Sequence, residues 1–393
     1  MSVPWKYRHL GDFHRYYSGE KHAQVLTLVI GGNHEASNYF SELYYGGWLA
    51  PNIYYLGAAN VLRYGPYRIS GLSGIFKASD YGKPHHERLP YGRAEIRSIY
   101  HVRECDVAKL LQIQHPIDIC ISHDWPRRME WFGDYKKLFA DRPTFFESVK
   151  ADNLGSPPAE QLMNLLRPKY WFSGHMHVKY SAIVEHKETI TEDIFKDMTI
   201  PDEVRAQLPK SMFRASSRKR SGAAITAPKD ITNDVTHFLA LDKPGPDRAF
   251  LEFLDIDPCS GADDKSIAPY IQKTPRGKYA LHYDEEWLAI TRSSGHVSTD
   301  TSPETSIVAK ESTILQNLSW VQTNITAKGV LKIPENFERH APIYDPSVKG
   351  KASEQPCEFP NSQTKLFCKM LEIPDPFSGI EDRAEVGDYI VFE

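Results

Sequence analysis

The sequence predicts an α/β fold: a layered sheet sandwich with helices on its outer faces. Three observations carry that expectation. Short apolar runs end repeatedly in loops of Gly, Asn, His and Asp, stretches of helical periodicity fall between them, and 393 residues suffice for one large domain with a smaller partner. The apolar runs are 25–30 (VLTLVI), 53–56, 67–72, 117–121 (IDICI) and 170–172, each a candidate strand. Helical spacing marks 99–114 and 156–168, the second with Ser156 as N-cap, prolines in its first turn and Pro168 as its stop.

Beyond residue 184 the pattern loosens. Residues 185–232 are polar, and 211–230 reads as a basic, exposed insert. Strand-like patterning returns over 236–257, expected to rejoin the first sheet, and 258–277 reads as a linker. Residues 281–292 (LHYDEEWLAITR) are structured, 293–312 are Ser/Thr-rich and expected to be disordered, and 361–377 are amphipathic around Leu366, Phe367, Met370 and Leu371. The division expected is one domain over 1–257 and a second over 258–393.

Composition excludes some function classes. Charged residues make up 25% and the net charge is −4, so nucleic-acid binding would need a local basic patch rather than a basic chain. Five cysteines without a CxxC fit a reduced intracellular protein better than a disulfide framework. No apolar run approaches the roughly 20 residues of a membrane span, and 1–13 has no signal-peptide core.

Chemistry concentrates in three clusters. In 31–37 (GGNHEAS), Asn33 and His34 stand where a strand opens into a loop. An Asn oxygen is a hard neutral ligand, and a histidine can act as a general acid near neutral pH. In 119–126 (ICISHDWP), His123 follows an apolar strand. In 170–179 (YWFSGHMHVK), His175 and His177 alternate and on an extended backbone would share a face. Singly, these read as a polar turn, a satisfied strand-end histidine and surface histidines. Together they place one Asn and three His at carboxyl ends of strands, where α/β folds build sites. That set suits a pair of divalent metals, Fe, Zn or Mn rather than Mg, clamping a phosphate ester. The earlier stretch 11–14 (GDFH) also imitates a metal motif. Its preceding residues are not a buried strand, however, and only 18 residues separate His14 from Asn33, so Asp12 and His14 are not expected to be ligands.

GNHE, SHD and GHxH in this order resemble the calcineurin-like metallophosphoesterase superfamily. The flanks (KYRHLGDFHRYYSGEK, YGGWLAPNIYYLG, SGIFKASDY, RSIYHVRE, LGSP, LHYDEEWLAI, NSQTKLFCKMLEI) are more specifically similar to the RNA lariat debranching enzyme family. The resemblance implies a metallophosphoesterase β-sandwich flanked by helices, followed by that family's C-terminal domain. It implies hydrolysis of the 2′–5′ phosphodiester at the branch point of intron lariats during mRNA processing, with spliceosome-associated proteins as further partners. Asn33, His123 and His175 would ligate one metal and His177 the other, and His34 would protonate the leaving 2′ oxygen. Residues 76–104 would be a lariat-recognition loop, offering Lys77, Arg97, Tyr100 and His101 to the RNA, with Arg93 and Arg103 nearby.

One departure stands out. The family's first two metal motifs, Cys-x-His or Asp-x-His and then Gly-Asp, have no counterpart before Asn33. The expectation is an N-terminally truncated fold with an unpaired sheet edge, a second metal site that does not form, and weak or absent activity. The alternative is a non-catalytic protein binding lariat RNA or the spliceosome. The substrate would place the chain in the nucleus, where the basic cluster 216–220 (SSRKR) is a weak localisation signal.

Overall fold

The structure, a computed structural model, describes residues 11–186, 200–209, 227–259, 265–271, 273, 278–295, 309–345 and 355–378. The basic insert 211–230 thus lies outside the described residues up to 226, as do 260–264, most of 272–277 and the 296–308 stretch of the Ser/Thr-rich segment. In chain order the strands are β1 (Thr27–Val29), β2 (Gly47–Ala50), β3 (Ile53–Tyr55), β4 (Ala59–Tyr64), β5 (Tyr67–Leu72), β6 (Ile119–Ser122), β7 (Tyr170–Ser173), β8 (Tyr180–Glu185), β9 (Val235–Ala240) and β10 (Leu281–Tyr283). The mixed α/β class follows from these strands and the helices between them.

The chain forms two compact units, and they do not follow the division at 257/258. The first unit combines Met1–Pro66, Ser70–Gln112 and Lys265–Glu393; the second is Tyr67–Ile69 with Ile113–Asp264. In the first unit, β3 stands between β1 (parallel) and β2 (antiparallel). Among the described residues β1 forms one edge of this sheet. Nearby, β10 runs antiparallel to β4. Helices Glu285–Gly295, Glu311–Val321 and Ser362–Leu371 enclose a core that includes Leu288, Val321, Ile325, Phe367 and Leu371. Residues 293–295 and 311–312, expected to be disordered, are helical because they end and begin two of these packed helices. The amphipathic 361–377 segment becomes helix over Ser362–Leu371. Its Phe367 and Leu371 are buried and Leu366 is exposed, and Asn361 caps it by accepting from Gln363 N at 3.0 Å.

In the second unit, β6, β7 and β9 are parallel and β8 closes the sheet antiparallel to β9. Helix Pro157–Leu166 agrees with expectation: the Ser156 hydroxyl accepts from Ala159 N and prolines occupy its first turn.

Two of the expected elements also differ. The helix expected over 99–114 spans only Glu104–Leu110, because residues 99–100 form a turn and His101 then pairs with Ile75, with Val102 N donating to Ile75 O at 3.0 Å. Residues 250–257 do not form a strand. They carry exposed Phe250, Leu251, Phe253 and Leu254, with no ladder beside them among the described residues.

Candidate functional site

The second unit holds the histidine loops. Strands β6 and β7 are in parallel register with Ser122 opposite Ser173, so both chains leave the sheet at one level. Buried polar bonds then fix the two loops beyond the strand ends. Ser122 Oγ donates to Asp124 O at 2.6 Å, Trp125 Nε1 donates to Gly174 O at 3.0 Å, and Gly174 N donates to His123 O at 3.2 Å. Trp125 is fully buried against Tyr180 and Phe238, so the loop is anchored by aromatic packing as well. The result is a facing pair: His175 Nδ1 lies 3.2 Å from His123 Nε2.

His177 belongs to the same loop, but not as the alternation suggested. Both His175 (φ 60°) and His177 (φ 52°) adopt the left-handed region rather than extended backbone, a conformation costing about 1–2 kcal/mol for a residue with a Cβ. The His177 carbonyl accepts from Arg142 Nη2 at 3.0 Å and Arg248 Nη2 at 3.1 Å. Burial, then Lys243 and His175, lower the His177 pKa from its ordinary value, which Asp242 only partly opposes. Burial, Lys243 and His175 each disfavour the charged imidazolium.

The donor chemistry fits a divalent ion. With metal–imidazole bonds of about 2.0–2.1 Å, two ligands at a tetrahedral angle have nitrogens about 3.3 Å apart. The His123–His175 separation of 3.2 Å is close to that edge.

In the first unit, Gly31 and Gly32 continue β1 and are buried, and Asn33 and His34 come next in a turn, with His34 exposed. Gly31 N donates to Ser73 Oγ at 3.0 Å, and a Cβ on Gly31 would meet the Phe40 ring at 3.2 Å, so the position favours glycine. Asn33 Nδ2 and His34 Nε2 are 3.4 Å apart. Asp12 and His14, the decoy pair, are satisfied locally. Asp12 bonds Lys21 at 2.7 Å, and His14 Nδ1 donates to Gly11 O at 2.9 Å at the start of helix Phe13–Tyr17.

The 76–104 segment separates into two kinds of residue. Lys77, Arg93 and Arg97 are exposed, and Tyr100 is half-buried at the wall of a cavity of about 150 Å³ shared with Gly31, Glu35 and Tyr44. His101 is buried instead, bonded through Nδ1 to Asp80 Oδ2 at 2.8 Å, and its pKa is lowered chiefly by burial. Arg103, fully buried, pairs with Glu87 and donates to Asp80 O (2.7 Å) and Ser98 O (2.9 Å). Both hold the segment's shape, and His101 also lines the cavity beside Tyr100.

Sequence reasoning missed a second cluster, His85, Cys105 and Asp106, whose ligand atoms lie within 4.8 Å of one another. His85 stands 21 positions from Asp106, so no local spacing announces it. Its chemistry suits an ion-pair network better than a metal. Lys109 Nζ already sits 3.2 Å from Asp106, His85 bonds Asp106 at 2.7 Å, and burial pushes the Cys105 thiol up to about 12.

A mixed α/β sheet carrying histidine loops at the ends of parallel strands agrees with a metallophosphoesterase-type α/β fold. Residues 233–376 match the family model described as "Lariat debranching enzyme, C-terminal domain", a match that begins ahead of residue 258. The chain is 37% identical to the lariat debranching enzyme of Schizosaccharomyces pombe, covering 93% of this chain and 85% of that protein. It is 41% identical to the human enzyme and 39% to that of Gallus gallus, over 95% and 98% of this chain. The chain belongs to the lariat debranching enzyme family. It spans 60% of the human and 63% of the chicken relative's length.

Proposed function

We propose that this chain carries an RNA lariat debranching site that hydrolyses the 2′–5′ phosphodiester of branched RNA in intron turnover in the nucleus. The observation that carries the reading is the nitrogen pair of His123 and His175 at 3.2 Å, set by parallel strand ends. In the second unit His123 and His175 would hold one divalent ion, Fe, Zn or Mn, and His177 would serve a second; the family resemblance assigns Asn33 as a further donor. Bound there, the ions would polarise the phosphoester and stabilise its developing charge. His34, exposed at the glycine turn, would donate a proton to the leaving 2′ oxygen. Lys77 and Arg97, exposed, and Tyr100, at the cavity wall, would meet phosphates and bases of the RNA.

The assigned donors are one amide and three imidazoles. The test is metal analysis of the purified chain together with cleavage of a synthetic branched RNA. Bound metal and branched-RNA cleavage that H175A and H34A abolish would support the reading. Cleavage unaffected by H175A overturns it, and tight branched-RNA binding with no cleavage at any metal concentration favours a non-catalytic binding role.

A further inference from the structure

We propose that Arg142 and Arg248 are positioning residues for the metal centre: together they clamp the His177 carbonyl and so fix the left-handed backbone that presents this ligand. The inference rests on the metal reading of His177 given above. Two guanidinium groups from distant parts of the second unit donate to one carbonyl oxygen, at 3.0 and 3.1 Å. Arg142 ends helix Tyr135–Asp141, and Arg248 lies beyond β9. Arg248 is itself held, because it pairs with Asp242, and Asp242 N bonds back to Ala249 O at 3.1 Å to close the intervening loop. The peptide plane after His177 is thus gripped from two sides. Without that grip, a residue with a Cβ at φ 52° is free to relax toward commoner backbone angles and carry its imidazole away.

The charges of these arginines make the idea sharply testable. Two cations beside a metal ligand repel a divalent ion, so on electrostatics alone removing either would tighten metal binding. A clamp predicts the opposite. Partners that orient a metal ligand from behind typically change metal affinity about 10- to 100-fold when removed.

The experiment is a Co²⁺ titration of the whole chain monitored by its visible ligand-field absorption, with thermal unfolding checked for each variant. Wild type is expected to give a band that H177A shifts or weakens. R142M and R248M are each expected to weaken Co²⁺ binding about tenfold and alter the band, and R142K to recover part of the loss. R142M, at the end of a surface helix, remains informative if R248M does not fold. Absence of any His177-dependent band overturns the metal reading and the clamp with it. A His177-dependent band with unchanged or tighter binding in R142M overturns the clamp alone.

Discussion

His123 and His175 meet across 3.2 Å because Ser122 and Ser173 leave adjacent parallel strands in register. Truncating either imidazole removes half of that pair while leaving the buried Ser122 and Trp125 bonds intact. H123A and H175A are therefore expected to fold with little change in melting temperature and to lose about tenfold or more in metal affinity, read by calorimetric titration with Mn²⁺ or Zn²⁺. Arg103 makes the opposite kind of contribution. Its guanidinium is fully buried and paired with the equally buried Glu87. R103A strips that carboxylate of its buried guanidinium, leaving the Ser98 hydroxyl as a weaker partner, and should cost about 3–5 kcal/mol in denaturant unfolding. An R103A chain that loses less than about 1 kcal/mol would contradict the strut role.

At the scale of elements, helix Ser37–Glu42 ends in a carboxyl that should make the fold pH-sensitive. Burial pushes Glu42 up to about 8, and nearby Glu358 adds to the shift. A hydrogen bond from Phe359 N at 2.7 Å opposes it without cancelling it. An unfolded glutamate titrates near 4.5. Below that value both states hold the proton. Between 4.5 and 8 only the folded state holds it, so the stabilisation is lost as pH rises through this window, at up to about 1.4 kcal/mol per pH unit. E42Q should therefore melt like wild type at about pH 5 and higher than wild type at about pH 8. Equal melting temperatures at both would reject the buried neutral carboxyl.

The elements also show what the sequence could reveal. Ser156 with its prolines, and the apolar runs before GGNHE, SHD and GHMH, speak through local chemistry, and they were legible. The start of helix Glu104–Leu110 was not, since the chain before it is drawn straight by pairing with Ile75 and by the burial of Arg103, contacts that periodicity cannot carry. The left-handed angles of His175 and His177 were hidden as well, and the carbonyl of His177 is bonded by arginines 35 and 71 positions away. The bond from His101 to Asp80 was hidden too, since its partner lies 21 residues away.

At the scale of the whole molecule, the run Phe250–Leu254 should govern solubility. Phe253 is 87% exposed and Leu251 62%, in an extended segment without a sheet partner among the described residues. Contiguous exposed apolar side chains of this kind drive association. F253E is expected to lower light scattering of the purified chain at concentrations where wild type associates, and an unchanged profile would assign association to another surface.

The interleaving of the two units has a consequence for how the protein is made. Residues 113–264 form nearly all of the second unit in one uninterrupted stretch, whereas the first unit needs residues from both ends of the chain. Tyr17 bonds the backbone of Ala341, 324 positions later, and Gln363 bonds that of Trp48. On a ribosome adding about 5–20 residues per second, the roughly 265 positions separating Gln112 from Phe377 take roughly 15–50 s to emerge. Throughout that interval β1 to β4 and their glycine turn wait without their closing helices, while the later-born histidine loops already have the strands they need. The chain thus matures out of order, its middle ahead of its beginning, and during synthesis the waiting N-terminal segment is the part most open to chaperones and proteases.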